Sequence, residues 1–191
     1  MTKISARDRI LATATELFYT NGYQATGINE IIEKSGVAKA TFYDQFPSKE
    51  ELCKAYVQHM DENGLSIVAG WLDHESTPRG RFMALLRGSK EWLKETHFKG
   101  CSFLNLVPEV VDPENAIRKM SQAYYGKLVK LLKRLSKELI ESDIDRYGHL
   151  TADGLAYDYL NVFTGAITLS ALFHDHWPME KAIQTMNRIL K

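Results

Sequence analysis

The sequence has no excess of charge of either sign: 24 Lys and Arg stand against 24 Asp and Glu in 191 residues. A uniformly basic surface, the simplest footprint of a nucleic-acid binder, is thereby excluded, and any DNA contact has to rest on local placement of charge. Cysteine is scarce. Cys53 and Cys101 are the only two, without the spacing of a metal site or a disulfide framework, which fits a reducing cytoplasm. Long apolar runs are missing as well. The longest, 162–173, is too short for a bilayer, which takes about 20 residues. The opening MTKISARDRI lacks the apolar core of a signal peptide. The expectation is a cytoplasmic protein without membrane contact. Low-complexity tracts, internal repeats and convincing strand alternation are absent too. No nucleophile elbow, phosphate-cradling glycine loop or HExxH motif occurs, so no catalytic residue, metal or cofactor is expected.

What is present reads as helix. Apolar residues make up 45% and charged residues 25%, ordinary for a chain that folds around its own core. Ile10, Leu11, Ala14, Leu17 and Phe18 recur at helical spacing over 7–20, and Asn21-Gly22 supplies a stop. Ile28, Ile31 and Ile32 mark a second helix over 27–35, ending at Ser35-Gly36. A short third helix runs from about Ala38 to Gln45, where Pro47 forbids continuation. Ser48-Lys49-Glu50-Glu51 fits a capping box opening a long helix to about Leu72, with Ser48 as N-cap and Glu51 reaching back. Further helices are predicted from Pro78 to Thr96, in one or two short pieces over 97–112, and from an Asp112-Pro113 start carrying Ile117, Met120, Tyr124, Leu128, Leu131, Leu135 and Leu139 on one face. A loop is predicted over 142–150, then a helix from about Thr151 to Phe173 and a last one after Pro178. The fold class is all-α, with a compositional seam near residue 50.

The segment from Ala38 to Leu52, AKATFYDQFPSKEEL, carries the functional signal. Three short helices with a tight turn at Lys34-Ser35-Gly36-Val37 make a helix-turn-helix. Its third helix has to hold the core with one face and offer the other to a DNA major groove. Phe42 and Phe46, four apart, are the inward anchor. Lys39, Ala40, Thr41, Tyr43 and Asp44 are then left outside. Small Ala38 and Ala40 let the backbone approach base edges, Thr41 offers a hydroxyl and a methyl, and Tyr43 reaches a phosphate. Lys49 adds a charge beside free helix-start N–H groups, which suits a phosphate. Lys3 and Arg7 are further candidates for the DNA side, with Glu16, Glu30 and Glu33 turned away.

Two runs, F-x-x-x-G-Y-x-x-T from Phe18 to Thr26 and GVAKATFYDQFPSKEEL from Gly36 to Leu52, resemble the DNA-binding domain of TetR-family transcriptional regulators. The resemblance covers roughly residues 7–55. Gly27 departs from the family pattern, where serine or threonine is usual, and so does Asp44-Gln45, where histidine or aromatics are frequent. The resemblance implies DNA contact by Thr26, Gly27, Lys39, Ala40, Thr41, Tyr43, Asp44 and Lys49. It also implies a division into a DNA-binding domain, 1–50, and a helical effector-binding and dimerisation domain, 51–191. The expected protein is a homodimeric repressor on a palindromic double-stranded operator, released by a small, largely apolar effector. Small residues at Gly165, Ala166, Ser170 and Ala171 suit a close helix interface, which places the dimer contact on 151–173 and the final helix.

Effector candidates are Trp92, Phe103, Leu104, Tyr124, Leu128, Phe163 and Ile167, with Asn105, Asn161 and Thr164 as polar orienters. Taken singly, each suits an ordinary core better than a ligand contact; taken together, some of them are expected to line a cavity. The stretch GCSFLNL resembles a Gly-Cys-x-x-x-Asn segment of one subset of the family, which places Cys101 at a helix start where a thiol pKa falls. The competing reading, a small buried hydrophobe, is the favoured one. His174-Asp175-His176 is a poor chelate and better suited to capping a helix end. Two rival readings remain, an all-α enzyme with an incidental helix-turn-helix and an interaction bundle without DNA contact.

Overall fold

The computed structural model describes residues 4–191; Lys3 lies outside them. Among the described residues every regular element is helical, as the all-α reading requires. The helices are α1 (Ala6–Asn21), α2 (Ile28–Ser35), α3 (Lys39–Gln45), α4 (Lys49–Asp73), α5 (Pro78–Glu95), α6 (Ser102–Leu106), α7 (Ala116–Ser142), α8 (Ile144–Tyr147), α9 (Ala152–Phe173) and α10 (Trp177–Ile189), with a 3-10 turn Val107–Glu109 after α6. No described helix is long and apolar enough to cross a membrane.

The chain divides into two compact units, and the division is not a single cut at residue 50. The first unit takes residues 1–62 together with 102–123; the second takes 63–101 and 124–191. The segment 102–123, well downstream of the seam, therefore returns to the first unit, which composition along the chain had no means of signalling.

In the first unit the sequence periodicity becomes a small core. Ile10, Ala14, Leu17 and Phe18 of α1, Ile31 of α2 and Phe42 of α3 are buried together with Phe46 and Leu52. The returning segment adds Phe103, Leu106, Val110 and Ile117 to the buried set. Phe18 sets its ring edge-on to Tyr23 and Tyr56, at 5.4 and 5.5 Å.

In the second unit α5, α9 and α10 pack on one another around Phe82, Leu85, Leu86, Tyr159, Phe163, Met179 and Met186. The Tyr159 hydroxyl accepts the Leu86 N–H at 3.0 Å, which satisfies the one polar group of a fully buried side chain. Arg79 ties the start of α5 to the end of the chain. Its guanidinium donates to Tyr147 Oη, Leu190 O and Asn187 Oδ1 at 3.0, 2.9 and 2.9 Å.

Most helix ends fall within a residue of expectation, and the departures have local causes. Asp112-Pro113 does not start a helix. Asp112 Oδ1 accepts the Glu114 N–H in a turn, and Asn115 Oδ1 accepts the Ile117 N–H as α7 begins at Ala116; asparagine here provides the cap that aspartate three residues earlier was expected to give. The predicted loop 142–150 contains α8, whose N-cap Asp143 accepts the Arg146 N–H. The box at Ser48 is only half formed. Ser48 Oγ accepts the Glu51 N–H at 3.1 Å, but the Glu51 carboxylate turns to Lys54 at 2.7 Å.

Candidate nucleic-acid interface

Gly36 makes the turn between α2 and α3. It sits at φ 64°, in the left-handed region, where glycine carries no Cβ penalty. Its N–H bonds to Glu33 O and the Val37 N–H to Ile32 O, the paired closure of a Schellman motif. Arg9, which the sequence did not single out, caps the same turn from α1. One guanidinium nitrogen donates to both Ser35 O and Gly36 O at 3.3 Å.

With the turn fixed, α3 is held by Phe42, fully buried, and by Phe46 just beyond its end. The opposite face is open. Lys39, Ala40, Tyr43 and Asp44 are exposed and Thr41 is half-buried at its margin. Gly27 is exposed as the N-cap of α2, and a Cβ added there would meet nothing. A hydroxyl or larger side chain at this position would therefore be tolerated sterically.

Thr26 does not belong to the open face. It is fully buried, and its hydroxyl lies 2.7 Å from Gly22 O and 3.3 Å from Leu17 O. The threonine closes the end of α1 on the following loop, because its β-branched body fits the core and its one donor serves the helix's last carbonyls. Thr26→Val is expected to lower stability by about 1–2 kcal/mol in thermal unfolding and to leave the DNA affinity of the folded protein unchanged.

Arg7 also departs from expectation. Its guanidinium donates to Gln45 O at 3.2 Å and lies over the Phe46 ring, 4.4 Å from the centroid, so it anchors α3 to α1. Lys49 stands in the first turn of α4, half-buried. Its ammonium donates to Gln24 O at 3.2 Å and lies 4.6 Å from the Tyr23 ring centroid. Burial lowers its pKa, against the fields of Cys53 and Glu109, which raise it. Cys53 is itself buried, its thiol pushed up to about 12 mainly by burial, which makes it an inert packing residue.

The ten effector candidates are divided between the two units. Phe103, Leu104 and Asn105 belong to the first unit and the other seven to the second. Leu128, Phe163 and Ile167 are members of the second unit's packed core, with Trp92 against its edge. Tyr124 packs over Gly64 of α4. The Thr164 hydroxyl donates back to Leu160 O at 2.8 Å, and Asn161 is exposed on the outer face of α9. The second unit does hold an open groove of about 440 Å3, lined by Leu65, Val68, Ala69, Leu72, Lys130, Leu131 and Arg134. None of the ten lines it. Periodicity identifies inward faces, but it does not tell a filled interior from an empty one.

Cys101 lies just before α6 and is half-buried, and its sulfur accepts the Tyr125 hydroxyl at 3.4 Å. Burial, then the neighbouring thiol, holds that phenol well above its ordinary pKa. In His174-Asp175-His176 the aspartate accepts the Trp177 N–H at 3.1 Å at the start of α10, the capping role expected of it. No group of three or more metal-ligating side chains occurs among the described residues.

Residues 10–56 match the family described as bacterial regulatory proteins, tetR family. The whole fold has the same relatives: a TetR-family transcriptional regulator from Streptomyces coelicolor superposes with a TM-score of 0.87 at 25% identity, over 97% of this chain and 94% of that one. Residues 10–56 are thus a tetR-family regulatory domain, and the chain as a whole has the fold of a TetR-family regulator. It is therefore grouped with transcriptional regulators and not with enzymes. An uncharacterized HTH-type transcriptional regulator in the lacX 3' region of Lactococcus lactis subsp. lactis is 28% identical over 132 residues, 66% of this chain and 65% of the relative. The HTH-type transcriptional regulator LmrA of Bacillus subtilis is 36% identical over 83 residues, 43% of this chain and 44% of its own length. The chain thus spans less than two thirds of either relative.

Proposed function

We propose that the protein is a homodimeric, cytoplasmic repressor that binds a palindromic operator and leaves it when a small, largely apolar effector binds the second unit. The observation that carries this reading is α3, with Phe42 buried and Lys39, Ala40, Tyr43 and Asp44 open to a major groove. Lys39 and Tyr43 are four residues apart and so share one side of the helix. The groove of about 440 Å3 supports the effector half of the reading, since it lies within the usual size of small-molecule sites and has mostly apolar walls. The dimer half is supported by the outer face of α9 and α10, where Leu169, Leu172, Phe173 and Trp177 are 40, 72, 55 and 42% exposed. A contiguous apolar face of this kind marks an interaction surface. An effector then acts by its differential affinity for the DNA-bound and free states.

The test is a mobility shift with duplex fragments from upstream of the protein's own coding sequence, titrated with salt. Tyr43→Phe and Lys49→Ala are expected to weaken binding to all duplexes alike, because both groups serve phosphates. Lys49→Ala is also expected to flatten the salt slope by about one unit. Thr41 and Lys39 variants are expected to lose affinity by amounts that depend on the base pair opposite. Unchanged affinity and slope for Lys49→Ala would remove that lysine from the interface, and no duplex binding by the wild type would remove the reading altogether.

A further inference from the structure

The loop between α1 and α2 is built around a carboxylate from far along the chain. Glu109 ends the 3-10 turn after α6, within the part of the chain that returns to the first unit. Its Oε1 accepts the Tyr23 N–H at 3.2 Å and its Oε2 the Gln24 N–H at 2.6 Å. The Gln24 side-chain amide donates to the Glu109 carbonyl at 3.0 Å. Two successive backbone N–H groups turned on one anion form a small anion-binding concavity. Gly22 makes room for it. That glycine has φ 92°, and a Cβ there would stand 3.1 Å from Glu109 Oε1. The backbone on either side of Glu109 is anchored: Leu106 and Val110 are buried, and Arg118 donates to Val110 O at 3.1 Å. Asn115 makes a second tie, from the start of α7 to Glu50 in the first turn of α4, at 3.3 Å.

The same dipeptide that Glu109 holds by its N–H groups holds Lys49 by its other side. Gln24 O takes one of the three ammonium protons, at 3.2 Å, and the Tyr23 ring sets the direction of the chain. Two donors remain for a ligand. We propose that Glu109 is a positioning residue for DNA recognition: it fixes the 23–24 peptide, and through Gln24 O it aims the Lys49 ammonium at a phosphate of the bound duplex. This rests on the DNA-binding reading above. It also makes the segment after α6 a determinant of affinity.

A double-mutant cycle on the full chain tests it, using a duplex enriched from a random pool by the wild-type protein. Glu109→Gln keeps the size and removes the charge, and Glu109→Ala removes both. Each is expected to weaken duplex binding on the order of tenfold, with an ordinary thermal melt and faster amide exchange at Tyr23 and Gln24. The decisive comparison is Lys49→Ala made in either background. If Glu109 acts by aiming Lys49, the second change costs little more and flattens the salt slope no further, so the two effects are far from additive. Fully multiplying losses, or wild-type affinity in both Glu109 variants, overturns the proposal while leaving DNA binding itself intact. Failure of the wild type to enrich any duplex overturns both this proposal and the DNA-binding reading.

Discussion

Leu172→Glu is expected to give a monomer that has lost specific duplex binding although α1 to α4 are untouched. Leu172 is 72% exposed in the single chain, so a carboxylate there costs the subunit almost nothing. In a dimer joined through α9 and α10 the same group is buried without a partner, which costs several kcal/mol (about 3–5). Loss of the second half-site then removes the gain of bivalent binding, about a hundredfold to ten-thousandfold. The choice of residue matters. Ala166, on the stripe of small residues that first suggests the interface, is 5% exposed and belongs to the subunit's own core. A charge at Ala166 unfolds the second unit and says nothing of assembly. Gly165 is exposed with open space around it, and Gly165→Glu makes a second test on the same face. Sedimentation of Leu172→Glu and Gly165→Glu, with helical content checked by circular dichroism, reads the result. Two dimers with normal duplex affinity would move the interface off this face.

The first unit was largely legible because its constraints are local. Gly36 has to take a positive φ, Phe42 and Phe46 have to share a face, and Pro47 has to end α3; each follows from residue type and spacing alone. What sequence reading missed there depends on pairs far apart in the chain. Arg9 reaches the turn at Ser35 and Gly36, Arg7 reaches Gln45, and Glu109 reaches Tyr23 and Gln24. A charged residue at a helical position gives no sign of which distant carbonyl it will serve. Thr26 was legible as a marked position but not as to its role, since a threonine that closes a helix end and one that meets a phosphate look alike in one sequence. The effector candidates are hard to tell from ordinary core residues for another reason. Leu128, Phe163 and Ile167 carry the periodicity of inward residues, and the same periodicity describes the filled core they occupy.

Phe42→Ala is expected to abolish duplex binding by unfolding the first unit, not by removing a contact to DNA. The ring is fully buried, 6.5 Å from the Phe46 centroid and 5.3 Å from Tyr43. α3 has only seven residues, too few to stand as a helix without tertiary support. Its hold on the core is Phe42 together with Phe46. Truncation to alanine costs about 3–5 kcal/mol, a large part of the 5 to 15 or so that a domain has in all. Tyr43 and Lys39 then lose the surface that presents them. Phe42→Leu, which keeps most of the apolar volume, is expected to recover much of both stability and binding. The second unit has its own core around Phe82, Tyr159 and Met186, so an early melting step is expected while much of the helical signal remains. The opposite pattern, normal melting with binding lost, would mean that Phe42 itself meets the duplex and that α3 presents the other face.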